Sequence, residues 1–354
     1  MASIFELVTS DAITAYWENL ASNEIPYMGE ELFPSQQKLG LTIKWIKGAH
    51  GLPVVLLPSA YDVASKKRDR IGFEKLSMDM PFFKESTYID EELRQELNKV
   101  LETGNQAYID SVINQVFRDE VNLLEGARAQ RERIRMMALT TGAVSISANG
   151  QDYDYDYGIP ANHKVTVSTA SGYGKLSWSD PDATIIDDIR TLQDLIQDET
   201  GVKPTRATLS RKTFGYLRKN KEIRQAINGS DSTAPVSDTK IKSYILDELE
   251  LTIAVYSKKY KDEAGNETPF VADDLFVMFP SGNLGTGWFG TTPEQSDLMS
   301  GSAANVTITD TGVAVTTSKK IDPVNVETKV SMIYLPSFEA ADSVGIMDVG
   351  VTLL

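Results

Sequence analysis

The chain has no cysteine among its 354 residues, so neither a disulfide framework nor thiolate chemistry is open to it. It has only two histidines, His50 and His163, and neither a His-Glu-x-x-His pair nor a Gly-x-Ser-x-Gly elbow occurs. Zinc-dependent hydrolysis and the serine-hydrolase arrangement therefore lack their usual ligands and nucleophile. No uninterrupted apolar run approaches the ~18 residues of a membrane-crossing helix. The longest apolar cluster, Leu52 to Leu57, is strand-sized and contains Pro53. No secretory signal is expected, because the first residues lack a basic segment followed by a long apolar one. A basic excess is missing as well: the net charge is −15, the opposite of a general nucleic-acid binder. An acidic chain can still enclose DNA that it touches sparingly.

What is present is enough apolar residue, 41%, to bury a core, and enough length for two or more compact domains. Residues 1–40 read as an extended arm with one short helix, capped by Ser10 or Asp11 and running through Ala15, Trp17 and Leu20. After Pro26, Gly29 and Pro34 no regular structure is expected. Leu41, Ile43 and Trp45 alternate at the strand period, Val54 to Leu57 is rich in β-formers, and Phe73, Leu76 and Met78 point to a returning strand. Between them Lys66, Lys67, Arg68 and Arg70 place four bases within five residues, so 41–88 reads as a long hairpin with a basic tip.

A helix over 89–103 follows from Ile89, Leu93, Leu97 and Leu101, with Gly104 as its stop. A stronger one comes next: Val112, Val116, Leu123, Ala127, Ile134 and Met137 recur at helical spacing until Gly142. At ~1.5 Å per residue it makes a rod of roughly 45–50 Å. Gly126 weakens it by about 1 kcal/mol, so packing must hold it. Val144, Ile146, Val165 and Val167 return to strand. Over 182–290 helices and strands alternate: a helix from Asp182 through Ile196, a strand Thr205–Leu209, short helices at Thr213–Leu217 and Lys240–Leu246, and strands about Ile253 and Leu275–Phe279. Beyond Thr291 short strands dominate, and they can return to the first domain's sheet. The class is α+β, in five parts: 1–40, 41–88, 89–181, 182–290 and 291–354.

Two patterns imitate binding sites. Asp152, Asp154 and Asp156 repeat a carboxylate at every second residue, as a calcium loop does; that loop needs Gly sixth and Glu twelfth, where Tyr157 and His163 stand. A solvated strand or loop accounts for the pattern better. The stretch Ser281 to Gly290 is glycine-rich but lacks the Gly-Lys-Ser/Thr of a phosphate loop, and a tight turn accounts for it. No metal, no cofactor and no enzymatic activity are expected.

Three stretches, taken in order, resemble the major capsid protein of phage lambda and its relatives, the E-type capsid family. They are Trp178 to Ile189 followed by Arg211 to Ile223; Val255 to Met278; and Asp322-Pro323 with Met332 to Phe338. Their order and spacing carry the likeness, which spans nearly the whole chain and is least marked over Ser300 to Lys320. The resemblance implies a Hong Kong 97-like fold: an N-arm, an extended E-loop hairpin, a P-domain with a long spine helix, and an α/β A-domain. It implies a shell-forming protein of the virion, assembled in the host cytoplasm as pentamers and hexamers of itself. The implied partners are a portal protein, a separately encoded scaffold, a decoration protein as an optional addition, and packaged double-stranded DNA bound without sequence specificity, with no membrane. The rivals are an encapsulin-like nanocompartment within the same fold and a soluble α/β enzyme outside it.

Against that background three charged groups become candidate contacts between subunits. Lys66, Lys67, Arg68 and Arg70 read either as a contact with nucleic acid or, better suited to an otherwise acidic chain, as a tip that docks on an acidic neighbour. Arg128, Arg131 and Arg135 share a helical face and read either as a contact with DNA or another subunit, or as a solvated face paired with Glu125 and Glu132. The third group is segregated: the helix from Asp182 to Thr200 carries Asp187, Asp188 and Asp194 with one base, Arg190, whereas Lys203 to Arg224 carries Arg218, Lys219 and Lys221 with one acid, Glu222. An acidic side meeting a basic side would steer ring closure; the alternative is that the two segments neutralise each other within one domain.

Overall fold

The computed structural model describes residues 9–21, 26–47, 74–89, 91, 95, 99, 106–148, 150–229, 234–262, 264–298, 304–321 and 324–350. The basic tip with Lys66, Lys67, Arg68 and Arg70 lies outside the described residues, as does Val54 to Leu57. Of the helix expected over 89–103, Glu91, Gln95 and Lys99 are described, and all three are helical. The chain divides into two compact units: Met1–Ile43, Met78–Ile134 and Thr286–Ser337 form the first, and Lys44–Ser77, Arg135–Gly285 and Phe338–Leu354 the second.

The first unit is built on the strand Val324–Ser337, 14 residues long. It pairs antiparallel with Val313–Ile321, with Phe82–Ile89 and, through its last four residues, with Thr286–Phe289. Ala304–Thr309 and Ser35–Gln37 complete a six-stranded sheet. Val326, Val330 and Met332 are buried on one face and Ile333 and Leu335 on the other, while neighbours along both edges pair its backbone. The helix Ser10–Ala21 buries Ser10, Ile13, Thr14 and Trp17, one stripe at helical spacing. Where no regular structure was expected, a short helix Met28–Leu32 and the strand Ser35–Gln37 form. Leu32 and Phe33, 1% and 0% exposed, anchor that stretch.

The long helix runs from Gln106 to Thr141, 36 residues, about 54 Å at ~1.5 Å each. It ends at Gly142, where φ is +74° and a Cβ would come within 2.9 Å of the Ile159 side chain. After it, Ala143–Ala148 and Gln151–Asp156 form a hairpin. Asp152, Asp154 and Asp156 are exposed along it while Tyr155 and Tyr157 are buried, the period-two arrangement of a strand with one wet face.

The second unit's main sheet has the order Lys164–Thr166, Gly345–Asp348, Leu275–Phe279, Arg206–Leu209, Thr252–Val255. Its central strand is antiparallel to both neighbours and fully apolar from Phe276 to Phe279. Arg206–Leu209 and Thr252–Val255 run parallel, joined through the helices Arg211–Lys219, Lys221–Asn228 and Asp238–Leu249. The middle helix was not expected; Asn220 starts it by accepting from Ile223 N at 3.0 Å while donating to Ala183 O at 2.6 Å. The helix Ile185–Thr200 buries Ile185, Ile189, Leu192 and Ile196 in the core. Gly345–Asp348 belongs here because Met347 and Val349 complete that core, so only 286–337 of the C-terminal strands lie in the first unit's sheet.

Candidate functional site

The arginine face does not reach solvent. Arg128 is 8% exposed, Arg131 2% and Arg135, in the second unit, 1%. The expectation of a solvated stripe is corrected: the three arginines are buried within the chain. The guanidinium of Arg128 meets Glu30 at 3.2 Å and stacks 5.1 Å from the Tyr27 ring centroid. That of Arg131 pairs with Asp310 and lies 5.4 Å from the Phe289 centroid. A guanidinium tolerates this because it is weakly hydrated and binds an aromatic face and a carboxylate at once. The two glutamates expected as local partners hold the arm: Trp17 Nε1 donates to Glu125, and Gly29 N donates to Glu132 at 3.1 Å. Ser10 Oγ meets Asn305 and Thr307, and Thr307 donates to Asp11 at 2.5 Å. A polar cleft of about 280 Å³ remains between Trp17, Glu30, Arg128, Arg131 and Asp310. Glu30 and Asp310 went unnoticed as partners because they lie 98 and 179 residues from their arginines, and no local pattern links them.

In the second unit the segregated charges split into three kinds. Asp188 is a core residue, 1% exposed, accepting from Gly174 N at 2.8 Å and from Trp178 Nε1 at 3.0 Å. Burial pushes its carboxyl above the usual range, and those two donors act against the shift. It is therefore corrected from surface candidate to internal brace. Several others pair within the chain: Lys221 with Asp182 at 2.7 Å, Arg218 with Asp238 at 2.8 Å, and Arg190 with Asp187 at 3.4 Å and Glu248 at 3.3 Å. Lys212 Nζ and the Tyr216 hydroxyl converge on Asp274, at 2.8 and 2.5 Å. Partial burial works against the Asp274 carboxylate, yet those two donors hold its pKa below the usual range. Asp194 and Lys219 are exposed and have no ion-pair partner among the described residues. No group of three or more His, Cys, Asp or Glu positioned to hold a metal occurs among the described residues.

These surfaces carry packing and charge. The profile of the phage major capsid protein E family matches residues 9–349. No curated protein matches the chain. Among solved structures, the proposed capsid protein of a prophage in Escherichia coli CFT073 superposes with a TM-score of 0.60 at 16% identity, covering 96% of this chain and 99% of that one. A phage-related protein from Bordetella bronchiseptica RB50 gives 0.55 at 15%, covering 96% and 97%. The capsid of cyanophage A-1(L) gives 0.52 at 10%, covering 93% of each chain. At such identities the likeness speaks to the fold, which is the α+β, Hong Kong 97-like fold of phage capsid proteins. The profile speaks to descent, and with it the conclusion is plain: the chain belongs to the phage major capsid protein E family.

Proposed function

We propose that this capsid protein assembles with copies of itself, as pentamers and hexamers, into the icosahedral head that encloses a phage's double-stranded DNA. The observation that carries the reading is the family profile over residues 9–349, nearly the whole chain. In this reading the chain divides into arm 1–40, E-loop 41–88, P-domain 89–181, A-domain 182–290 and C-terminal strands 291–354. A net charge of −15 fits a wall that touches DNA sparingly. A portal, a separately encoded scaffold and an optional decoration protein complete the partners, with assembly in the host cytoplasm. The basic tip, Lys66, Lys67, Arg68 and Arg70, serves between subunits in this reading, and Asp194 and Lys219 are two charges of the α/β part without an ion-pair partner among the described residues.

The test is expression of the chain with and without its scaffold, followed by negative-stain microscopy and an assay for enclosed nucleic acid. Rings or closed shells are expected, and DNA inside heads filled in the presence of portal and packaging proteins. A species that stays monomeric at high concentration with scaffold present overturns the proposal.

A further inference from the structure

Leu39 is 87% exposed and Leu41 57%, while most large apolar side chains around them are buried. The backbone that carries them is fixed at both ends. Lys38 N donates to Phe289 O at 2.8 Å, and Met80 N donates to Leu41 O at 2.8 Å. Between the two leucines Gly40 has φ +95°, a conformation open to glycine at little cost. A Cβ on Gly290 would lie 3.0 Å from Gly40 O, so the two backbones touch. A loose loop can fold apolar side chains inward; a turn pinned on both sides cannot. Among the described residues nothing covers these two leucines, where a solvated turn would ordinarily carry polar residues.

We infer that the turn Lys38–Leu41 is a preformed apolar knob that seats against a second copy of this chain inside the shell, an inference that rests on the shell reading above. Area decides the occupant. Two leucines offer on the order of 200 Å², against the roughly 800 Å² that each partner buries in a stable pair of proteins. The knob cannot hold a free-standing partner. It is covered only where other contacts already bring a neighbour close, and in a closed assembly that neighbour is another copy, presenting the same knob in turn. Preorganisation makes so small a contact useful, because no loop has to be ordered when it forms.

The absence of cysteine gives a direct test. Leu39→Cys supplies the chain's single thiol, at a position where a smaller side chain disturbs nothing packed. Its reaction with N-ethylmaleimide is followed by mass spectrometry in unassembled subunits and in shells formed from this chain alone. The expected result is rapid labelling in subunits and labelling slowed at least tenfold in shells. In parallel, Leu39→Ser with Leu41→Ser leaves the subunit's melting temperature unchanged and lowers shell yield severalfold. Equal labelling in subunits and shells overturns the inference while the shell reading stands. Slow labelling already in free subunits overturns it by showing that the chain covers its own knob. Protection only when scaffold is present assigns the knob to the scaffold and likewise overturns it. If the unsubstituted chain forms no particles even with its scaffold present, the shell reading fails and takes this inference with it.

Discussion

Arg131, in the first unit, is 2% exposed, stacked near Phe289 and paired with Asp310. Lys221, in the second, meets Asp182 at 2.7 Å with the two side chains 55% and 62% exposed. On paper both are one cation beside one carboxylate. Surroundings separate them: water screens both members of the second pair, whereas in the first the guanidinium is buried and only Asp310, its side chain 31% exposed, reaches water. Removing one partner of a buried pair strands a charge where it is poorly solvated, whereas removing one of an exposed pair returns the other to water. The first unit thus uses charge to fix its arm and its Asp310 turn onto the long helix. The second unit carries charges that neighbours could re-pair at little cost.

The sharpest way to break that comparison is Arg131→Met, which keeps an apolar stem and deletes the charge. Asp310 loses its partner and the Phe289 face loses its cation. The expected loss is about 3 kcal/mol, at the low end for a broken buried pair because Asp310 retains some access to water. Urea unfolding of unassembled subunits measures it. A loss below ~1 kcal/mol would mean that the Arg131 pair behaves like a surface pair and that the two units do not differ as described.

Asp188 sharpens the comparison from the other side, being the buried exception in the exposed set. Asp188→Asn still accepts from Gly174 but turns an amide NH₂ toward the Trp178 indole, another donor, so the expected cost is roughly 1–3 kcal/mol. The pH dependence has a definite sign. The native carboxyl binds its proton more tightly than the unfolded one, whose usual value is 3.8. Its contribution to stability is therefore full below that value and falls as pH rises through the native one. The asparagine has no such slope, so the substitution costs most in acid and least at neutral pH. A cost that grows with pH contradicts the raised carboxyl.

The placement of Asp188 also shows what the sequence could carry. Regular apolar spacing marked the long helix and the helix through Ile185, Ile189, Leu192 and Ile196, and β-rich runs marked Leu275–Phe279, because in each the burial pattern is local. The family was legible from three ordered stretches, and the profile match bears it out. The charges were not legible. Asp187 and Asp188 are adjacent and chemically identical, yet one faces Arg190 at the surface and the other the Trp178 indole in the core. On a helix, consecutive residues point about 100° apart, so the sequence says that they differ but does not say which is inside when Ile186 and Ile189 flank both. Arg128 and Arg131 misled in the same direction: their partners, Glu30 and Asp310, come from distant segments, and burial of a cation is decided by whether such partners arrive. The strand-period alternation counted Leu41 with Ile43 and Trp45, but it is exposed because it precedes the strand Thr42–Lys47 and belongs to the pinned turn.

The smallest expected effect separates two neighbouring lysines of the second unit. Lys221 has an internal partner in Asp182, and Lys219, at the end of the helix Arg211–Lys219, has none among the described residues. Lys221→Glu removes one exposed pair and sets two carboxylates side by side, so it should destabilise the subunit by no more than ~1 kcal/mol, less at high salt. Lys219→Glu breaks nothing inside the chain and should leave subunit stability within ~0.5 kcal/mol of the parent. Assembly reverses the order if uncommitted charge is what neighbours use. Each ring contact repeats around the axis, so a small loss at Lys219 multiplies while the Lys221 change stays internal. Light scattering of shell formation at low and high salt, beside thermal unfolding of both subunits, reads the two effects separately. Lys219→Glu slowing assembly at low salt with an unchanged melting temperature supports a re-pairable surface on the second unit. A fall in its melting temperature larger than that of Lys221→Glu would show instead that Lys219 is held within the chain, and the second unit would then offer no free charge at that helix end.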